Sequence, residues 1–340
     1  MSTRCFNQTI LFRDTQITKI EYFTNNDYCI YNKYDQNNKS EHVINILNNK
    51  FKTNYSINKH YTKTIVDVDT IYGGNIDIYM NNIINTEVWA RFLKPSSKII
   101  TIPLCLYIDN PWNENFAHLI FELLYPLIKM SAIDNNLPIL MAVGDYTQPL
   151  LKILGINNPI IKREEHNVYR IENAIYIGSI EAIEQKQMLY VKKYIDNKIS
   201  HLKENVKKPK GVVICRTNQR IIYNYKQFIE KLNLKYDFID WVTYDEHETI
   251  DEYLPKFINC SYIIGSHGAG HANMIFSQCP DLKIFEFMIN NFTNACFKNM
   301  AEALHFEFHT LFLDNDKNLN TTLDIDAIID SLNPYITHVN

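Results

Sequence analysis

Three of the chain's nine glycines fall within six residues, in the stretch Ser261-Tyr262-Ile263-Ile264-Gly265-Ser266-His267-Gly268-Ala269-Gly270-His271-Ala272-Asn273. The β-branched run ahead of them suits a buried strand, and the residues after them suit a helix. A strand that ends in small residues and turns into a helix presents backbone N–H groups at a point where the helix dipole is positive. That environment suits a phosphate or diphosphate. Ser266, His267, Gly268, Ala269 and Gly270 are its expected lining. His267 can donate to a phosphate or sugar oxygen, and Asn273 can either brace the loop or reach a ligand. The glycines run G-x-x-G-x-G, which is neither the dinucleotide order G-x-G-x-x-G nor a P-loop with its Gly-Lys-Ser/Thr, so NAD and ATP are disfavoured.

A second set opens at Gly211-Val212-Val213-Ile214-Cys215-Arg216-Thr217-Asn218-Gln219-Arg220 and continues to Asn224. Arg216 and Arg220 follow an apolar run of strand character, and guanidinium forks match pairs of phosphate oxygens. With a helix N-terminus they can neutralise a diphosphate without a metal. A third set is Asn115, His118 and Glu122 in an otherwise apolar stretch ending near Met130. At i, i+3 and i+7 they form one polar stripe on a helix, and a carboxylate four residues from an imidazole can hold its tautomer and raise its basicity, as a general base requires. Asp-X-Asp triplets that can chelate a metal occur at Asp67-Val68-Asp69, Asp314-Asn315-Asp316 and Asp324-Ile325-Asp326. Only the first follows an expected strand. No Cys/His cluster has zinc spacing and no G-x-S-x-G elbow is present.

The elements that must position these residues alternate. Residues 1–95 are polar and Asn-rich, with strands expected at 17–23, 64–68 and 76–79, so a β-rich leading region is anticipated. From Lys98 the pattern is a strand to Ile108, a helix over 113–130, a strand at 138–143, a helix at 148–154, strands at 160–161 and 174–177, and a long helix over 181–202. The charged stretch 203–210, closed by Pro209, is the expected domain boundary. A second series follows, with strands at 211–215, 240–242, 262–264 and 283–287 and helices at 225–232, 249–258, 272–276, 293–304 and 324–332. Alternation of this kind predicts parallel sheets covered by helices. The division anticipated is an N-terminal domain over 1–205, a C-terminal ligand-binding domain over 211–313 and a closing helix over 321–340.

At 340 residues the chain has room for two domains, and 46% hydrophobic with 21% charged residues describes a folded globular protein. A net charge of −4 gives no general attraction to nucleic acid or anionic membranes. No apolar run reaches the ~18 to 20 residues of a membrane span, and no signal peptide is evident. Seven cysteines without C-x-x-C spacing are read as reduced core thiols. A cytoplasmic setting is therefore expected, and the Asn, Ile, Lys and Tyr richness fits a microbial or large-virus source with an AT-rich genome.

Taken in order, Asn115-Phe116-Ala117-His118 with Glu122, Arg216 and Arg220 with Asn224, and Gly265 to Gly270 with Asn273 and Phe276 resemble the N-F-x-H-x-x-x-(D/E), R-x-x-x-R-x-x-x-N and G-x-H-G-A-G-x-x-N-x-x-F signatures of glycosyltransferase family 61. Gln148 to Ile156, ending Leu-Gly-Ile, is similar to that family's corresponding helix. The resemblance spans about residues 98–312. It implies a GT-B architecture, two Rossmann-like domains facing a cleft, and an inverting transfer that needs no metal or other cofactor. The donor implied is a nucleotide-sugar, expected to be UDP-linked, and the acceptor a glycan or glycoprotein hydroxyl. Arg216, Arg220, Asn224, residues 266–270 and Asn273 would then bind the donor, with Glu286 at its ribose or sugar. His118, backed by Glu122, would deprotonate the acceptor hydroxyl from the other domain, with Asn115 on the acceptor side. A metal-dependent transferase using Asp67 and Asp69, or a non-catalytic nucleotide-sugar or glycan-binding protein, are the alternatives. His271, Leu119 and Tyr253 depart from the residues common in the family.

Overall fold

The computed structural model describes residues 17–21, 29–33, 56–61, 70–79, 82–84, 98–108, 115–164, 167–177, 185–203, 207–289, 294–316 and 319–336. It is a mixed α/β protein whose chain groups into two compact units. One takes Met1–Glu114, Glu122–Asp145 and Ile156–Glu181; the other takes Asn115–Phe121, Tyr146–Gly155 and Ala182–Asn340.

The first unit is built on a ten-stranded sheet. Its leading strands are β1 (Ile17–Glu21), β2 (Cys29–Lys33), β3 (Ser56–Tyr61), β4 (Thr70–Tyr79) and β5 (Asn82–Ile84). They continue into β6 (Ile99–Ile102), β7 (Cys105–Ile108), β8 (Ile139–Met141), β9 (Ile160–Lys162) and β10 (Val168–Ile177). Strand β10 joins the two halves, antiparallel to β4 and parallel to β6 and β7. The β-rich leading region is therefore continuous with the α/β sheet rather than a layer of its own. The single strand expected over 98–108 is two, because Pro103 falls between them and a proline has no N–H to give a ladder. The expected strand at 64–68 lies outside the described residues.

A helical segment runs from α1 (Phe116–His118) through a π turn at Leu119–Leu123 into α2 (Leu124–Ile133). Leu124, Leu127, Ile128 and Met130 of α2 are buried, and the helix packs on β7. Helix α3 (Thr147–Ile153) closes at Gly155, whose φ of 70° needs glycine. The long helix α4 (Gln185–Ile199) buries Met188, Val191, Ile195 and Ile199 at helical spacing. Both α3 and α4 group with the second unit, not with the N-terminal domain expected over 1–205. Local patterning shows that a helix forms but not which sheet covers its apolar face.

The second unit centres on five strands: β11 (Lys210–Cys215), β12 (Asp240–Asp245), β13 (Cys260–Ser266), β14 (Lys283–Ile289) and β15 (Glu307–Leu313), all parallel in the order β12-β11-β13-β14-β15. Val212, Val213, Ile263, Ile264 and Phe285 are buried, the near-continuous apolar runs of strands covered on both faces. Helices α5 (Tyr225–Lys235) and α8 (Ile325–Leu332) share one core with Val213, Ile264, Phe285 and Phe287. Helix α6 (Ile250–Ile258) buries Tyr253, Leu254, Phe257 and Ile258; full burial of a residue such as Phe257 is worth about 1.5–3 kcal/mol. Glu252 reaches back to the Thr249 N–H at 2.7 Å to cap α6. Helix α7 (Cys296–Ala303) precedes β15, a strand the sequence pattern did not suggest.

Candidate functional site

The chain enters the second sheet at β11, moves outward to β12, and then crosses back to place β13 on the other side of β11. Loops leaving the carboxyl ends of β11 and β13 therefore diverge, and ligands of open α/β sheets bind in the crevice this creates. The arginine loop follows β11 and the glycine loop follows β13. The sheet order thus brings together the two motifs that the sequence separates by some fifty residues.

In the glycine loop Ser266 ends β13 buried, and the His267 N–H donates to the Phe287 carbonyl at 3.0 Å. Residues Ala269–Phe276 then form a 3-10 helix, starting three residues before the helix expected over 272–276. Its residues Gly270 to Phe276 are all buried, so packing overrides the usual preference for short 3-10 runs. Gly265 and Gly270 are there for close approach. A Cβ on Gly265 would lie 2.8 Å from the Ile214 carbonyl oxygen, and one on Gly270 would lie 3.0 Å from Ile214 and Tyr244 atoms. The backbone of Gly268 is extended, but a Cβ on it would lie 1.8 Å from Arg216 Nη1. The Arg216 guanidinium thus lies against the loop.

Arg216 is further held by its Nε–H, which donates to the Gln219 carbonyl at 2.8 Å. Arg220 adopts a left-handed φ of 60°, rare for a residue with a Cβ. Burial lowers the pKa of both guanidiniums, and the positive charge of Arg216 depresses Arg220 further while Glu286 opposes it. Two cations that disfavour each other in a half-buried crevice are relieved by a bound anion. Glu246 steadies the same loop, accepting from Thr217 Oγ1 and Asn218 Nδ2 at 2.6 Å each.

The surprise is the pairing of His267 with Glu286. Glu286 sits in β14 opposite Gly265, and His267 Nδ1 lies 2.7 Å from its Oε1, with the residues 4% and 1% exposed. The hydrogen bond sets the orientation of the His267 ring. Phe297 packs beside both histidines, its ring 5.0 Å from His267 and 5.6 Å from His271. His271 Nε2 meets the Gly265 carbonyl at 3.2 Å, and burial pushes its pKa down, so its ring is neutral. Cys215 and Cys296 border this region with thiols raised by burial to about 11 and about 12, so neither is an active nucleophile near neutral pH.

Other expected site residues have different tasks. Asn224 spends both ends of its amide on Leu323, donating to the carbonyl at 2.8 Å and accepting the N–H at 2.9 Å. It clamps two segments together, a role hidden by 99 residues of sequence separation. Asn273 braces the loop, its Nδ2 on the Gly270 carbonyl at 3.0 Å. Asn115 caps α1 by accepting the Ala117 N–H at 2.9 Å. His118 ends α1 half-buried and Glu122 lies in the π turn. Hydrogen bonds of i→i+5 type interrupt the seven-residue stacking expected of Asn115 and Glu122. His118 groups with the unit of the glycine loop, where α1 packs against the 3-10 segment, whereas Glu122 groups with the other unit. The expectation that placed His118 wholly in the opposite domain is corrected accordingly. Glu246 and Phe297 carried no motif; only an acidic residue after a strand and one apolar helix position marked them.

Asp67 and Asp69 lie outside the described residues. Among the described residues no group of three His, Cys, Asp or Glu side chains is arranged to hold a metal, and no helix is long and apolar enough to cross a membrane. The family described as Glycosyltransferase 61 matches residues 116–282. No curated protein matches. Among solved structures, the bacterial iron-containing dodecameric glycosyltransferase TibC from enterotoxigenic E. coli is similar at 8% identity and a TM-score of 0.33, over 65% of this chain and 66% of that one. The chain thus spans just under two thirds of that structure, and the likeness is too loose to inform the site.

Proposed function

We infer from the match over residues 116–282 that the chain is a member of glycosyltransferase family 61 and a glycosyltransferase. From this premise we propose that it transfers a sugar from a nucleotide-sugar donor, UDP-linked, to a hydroxyl of a glycan or protein, with inversion and without a metal. The observation that carries the reading is the convergence of Arg216, Arg220 and the Gly265 to Gly270 loop at the switch point of the second sheet. In this reading the two units are the Rossmann-like halves of a GT-B enzyme. The guanidiniums and loop N–H groups take the diphosphate and stabilise the charge that builds on it as the glycosidic bond breaks. Glu286 holds His267 so that Nε2 can address a phosphate oxygen. His118 accepts the acceptor hydroxyl's proton as the oxygen attacks the anomeric carbon from the face opposite the leaving group.

A thermal-shift series with UDP-, GDP- and TDP-sugars, beginning with UDP-xylose and UDP-N-acetylglucosamine, tests the donor, since a ligand bound only by the native state raises its stability. A stabilising donor whose effect disappears in Arg220→Ala and persists in EDTA supports the reading. Transfer abolished by EDTA and unaffected by Arg220→Ala would replace it with the metal-dependent alternative on Asp67 and Asp69. The anomeric configuration of the product, read by NMR, decides between inversion and retention.

A further inference from the structure

The loop that carries the two arginines leaves β11, and the turn that leaves the neighbouring strand β12 grips it. Glu246 Oε1 accepts from Thr217 Oγ1 and from Asn218 Nδ2 at 2.6 Å each, and His247 Nε2 lies 3.2 Å from the same threonine hydroxyl. The turn is itself braced. The His247 N–H donates to Asp245 Oδ1 at 2.8 Å and the Asp245 N–H to Glu248 Oε1 at 3.1 Å. Lys256 Nζ holds the Thr243 carbonyl at 2.8 Å and pairs with the Glu248 carboxylate. Three acidic residues therefore share this turn, and they act differently. Lys256 offsets the charge of Glu248, and the charge of Asp245 bears on Cys215 and Tyr225. Glu246 is the one of the three whose charge raises the pKa of both Arg216 and Arg220, against the larger lowering by burial.

We infer that Glu246 has two opposed effects on the donor site: it positions the arginine loop through Thr217 and Asn218, and its charge loosens the arginines' hold on the diphosphate. The inference rests on the donor reading given above and gives a role to a residue outside every motif. One carboxylate oxygen that holds two side chains fixes the tip of the loop, and a loop already ordered has less entropy to lose when an anion arrives. The same carboxylate is a fixed negative charge near the place where the diphosphate must sit, and like charges repel over a distance set by ionic strength. The site is thus formed before the donor arrives and still lets the nucleoside diphosphate go after transfer. Product release limits turnover in many enzymes, which gives the opposing charge a use.

Isothermal titration of the full chain with pyrophosphate and with UDP, at about 0.05 M and about 0.5 M salt, separates the two effects. Glu246→Gln keeps an acceptor oxygen for Thr217 and Asn218 and removes the charge. Affinity is expected to rise about 3- to 10-fold at the lower salt and to come within about 2-fold of the unaltered chain at the higher. Thr217→Val combined with Asn218→Ala keeps the charge and removes the tie. Affinity is then expected to fall about 3- to 10-fold at both salt concentrations, because a lost hydrogen bond is not restored by screening. All three side chains are exposed, and unliganded melting confirms that each variant is folded. Unchanged or weaker binding by folded Glu246→Gln at the lower salt overturns the inference, as does undiminished binding by the folded double variant. If neither pyrophosphate nor UDP binds the unaltered chain, the donor reading itself fails and the inference with it.

Discussion

Gly268 shows how one atom decides a site. Its extended backbone is open to any residue, so alanine costs no backbone strain, yet the new Cβ would occupy the space of the Arg216 guanidinium. Gly268→Ala is expected to leave the melting temperature within a few degrees and to weaken UDP or pyrophosphate binding about 10-fold, as titration would show. An unchanged affinity would mean that Arg216 does not hold the anion from this position. At the His267–Glu286 pair, Glu286→Gln keeps the shape and removes the charge. Its expected result is a loss of transfer of ~10²-fold in kcat, on the scale of removing an orienting or charge-stabilising group. His118→Ala is expected to lose ~10²-fold or more in kcat with donor affinity little changed; normal turnover would remove it from the mechanism. His271 affects stability instead. Its pKa is depressed by burial in the folded chain, so the unfolded chain binds the proton more readily. Stability is then full above about pH 6.5, the unfolded value, and falls as pH drops below it. Urea unfolding across pH 5 to 8 should show that slope, and His271→Leu should flatten it.

At the level of elements, the arginine loop is held from three directions. Strand β11 delivers it, Glu246 ties its tip, and residues 221–224 pair with 320–323 near the C-terminus, where Ile222 bridges Thr321 and Asn320 Oδ1 accepts the Ile221 N–H at 2.9 Å. Residues 320–323 therefore brace the segment that follows the arginine loop. Asn224→Ala removes two of these hydrogen bonds, and a loss of roughly 1–3 kcal/mol in urea unfolding is expected from leaving partly buried backbone groups without partners. A loss of donor affinity without a loss of stability would instead restore Asn224 to the donor site. The strands of the second sheet were legible because parallel strands buried on both faces are continuous apolar runs, as in Gly211 to Cys215 and Tyr262 to Ile264. Strand β15 was not, because His309 and Thr310 break the apolar run and an edge strand needs only partial burial. The π turn at Leu119–Leu123 was equally illegible, since its residues are apolar in a pattern that an ordinary α-helix also accepts.

For the molecule as a whole, the motif types and the chemistry they permit were determined by the sequence itself. A glycine loop after a buried strand, two arginines after another and a histidine in an apolar helix are local patterns that suit a phosphate-binding site, and their order along the chain carries the resemblance to the family, because each motif is read through local geometry that its own residues create. Tertiary structure alone decided which motifs share a site. The strand order β12-β11-β13 brings Arg216 against Gly268, and β14 carries Glu286 to His267. The grouping of Asn115–Phe121 brings α1 to the glycine loop's unit, and Leu323 engages both ends of the Asn224 amide. Each of these depends on contacts between residues far apart in the chain, whose energies come from burial and strand pairing that no local window of sequence encodes.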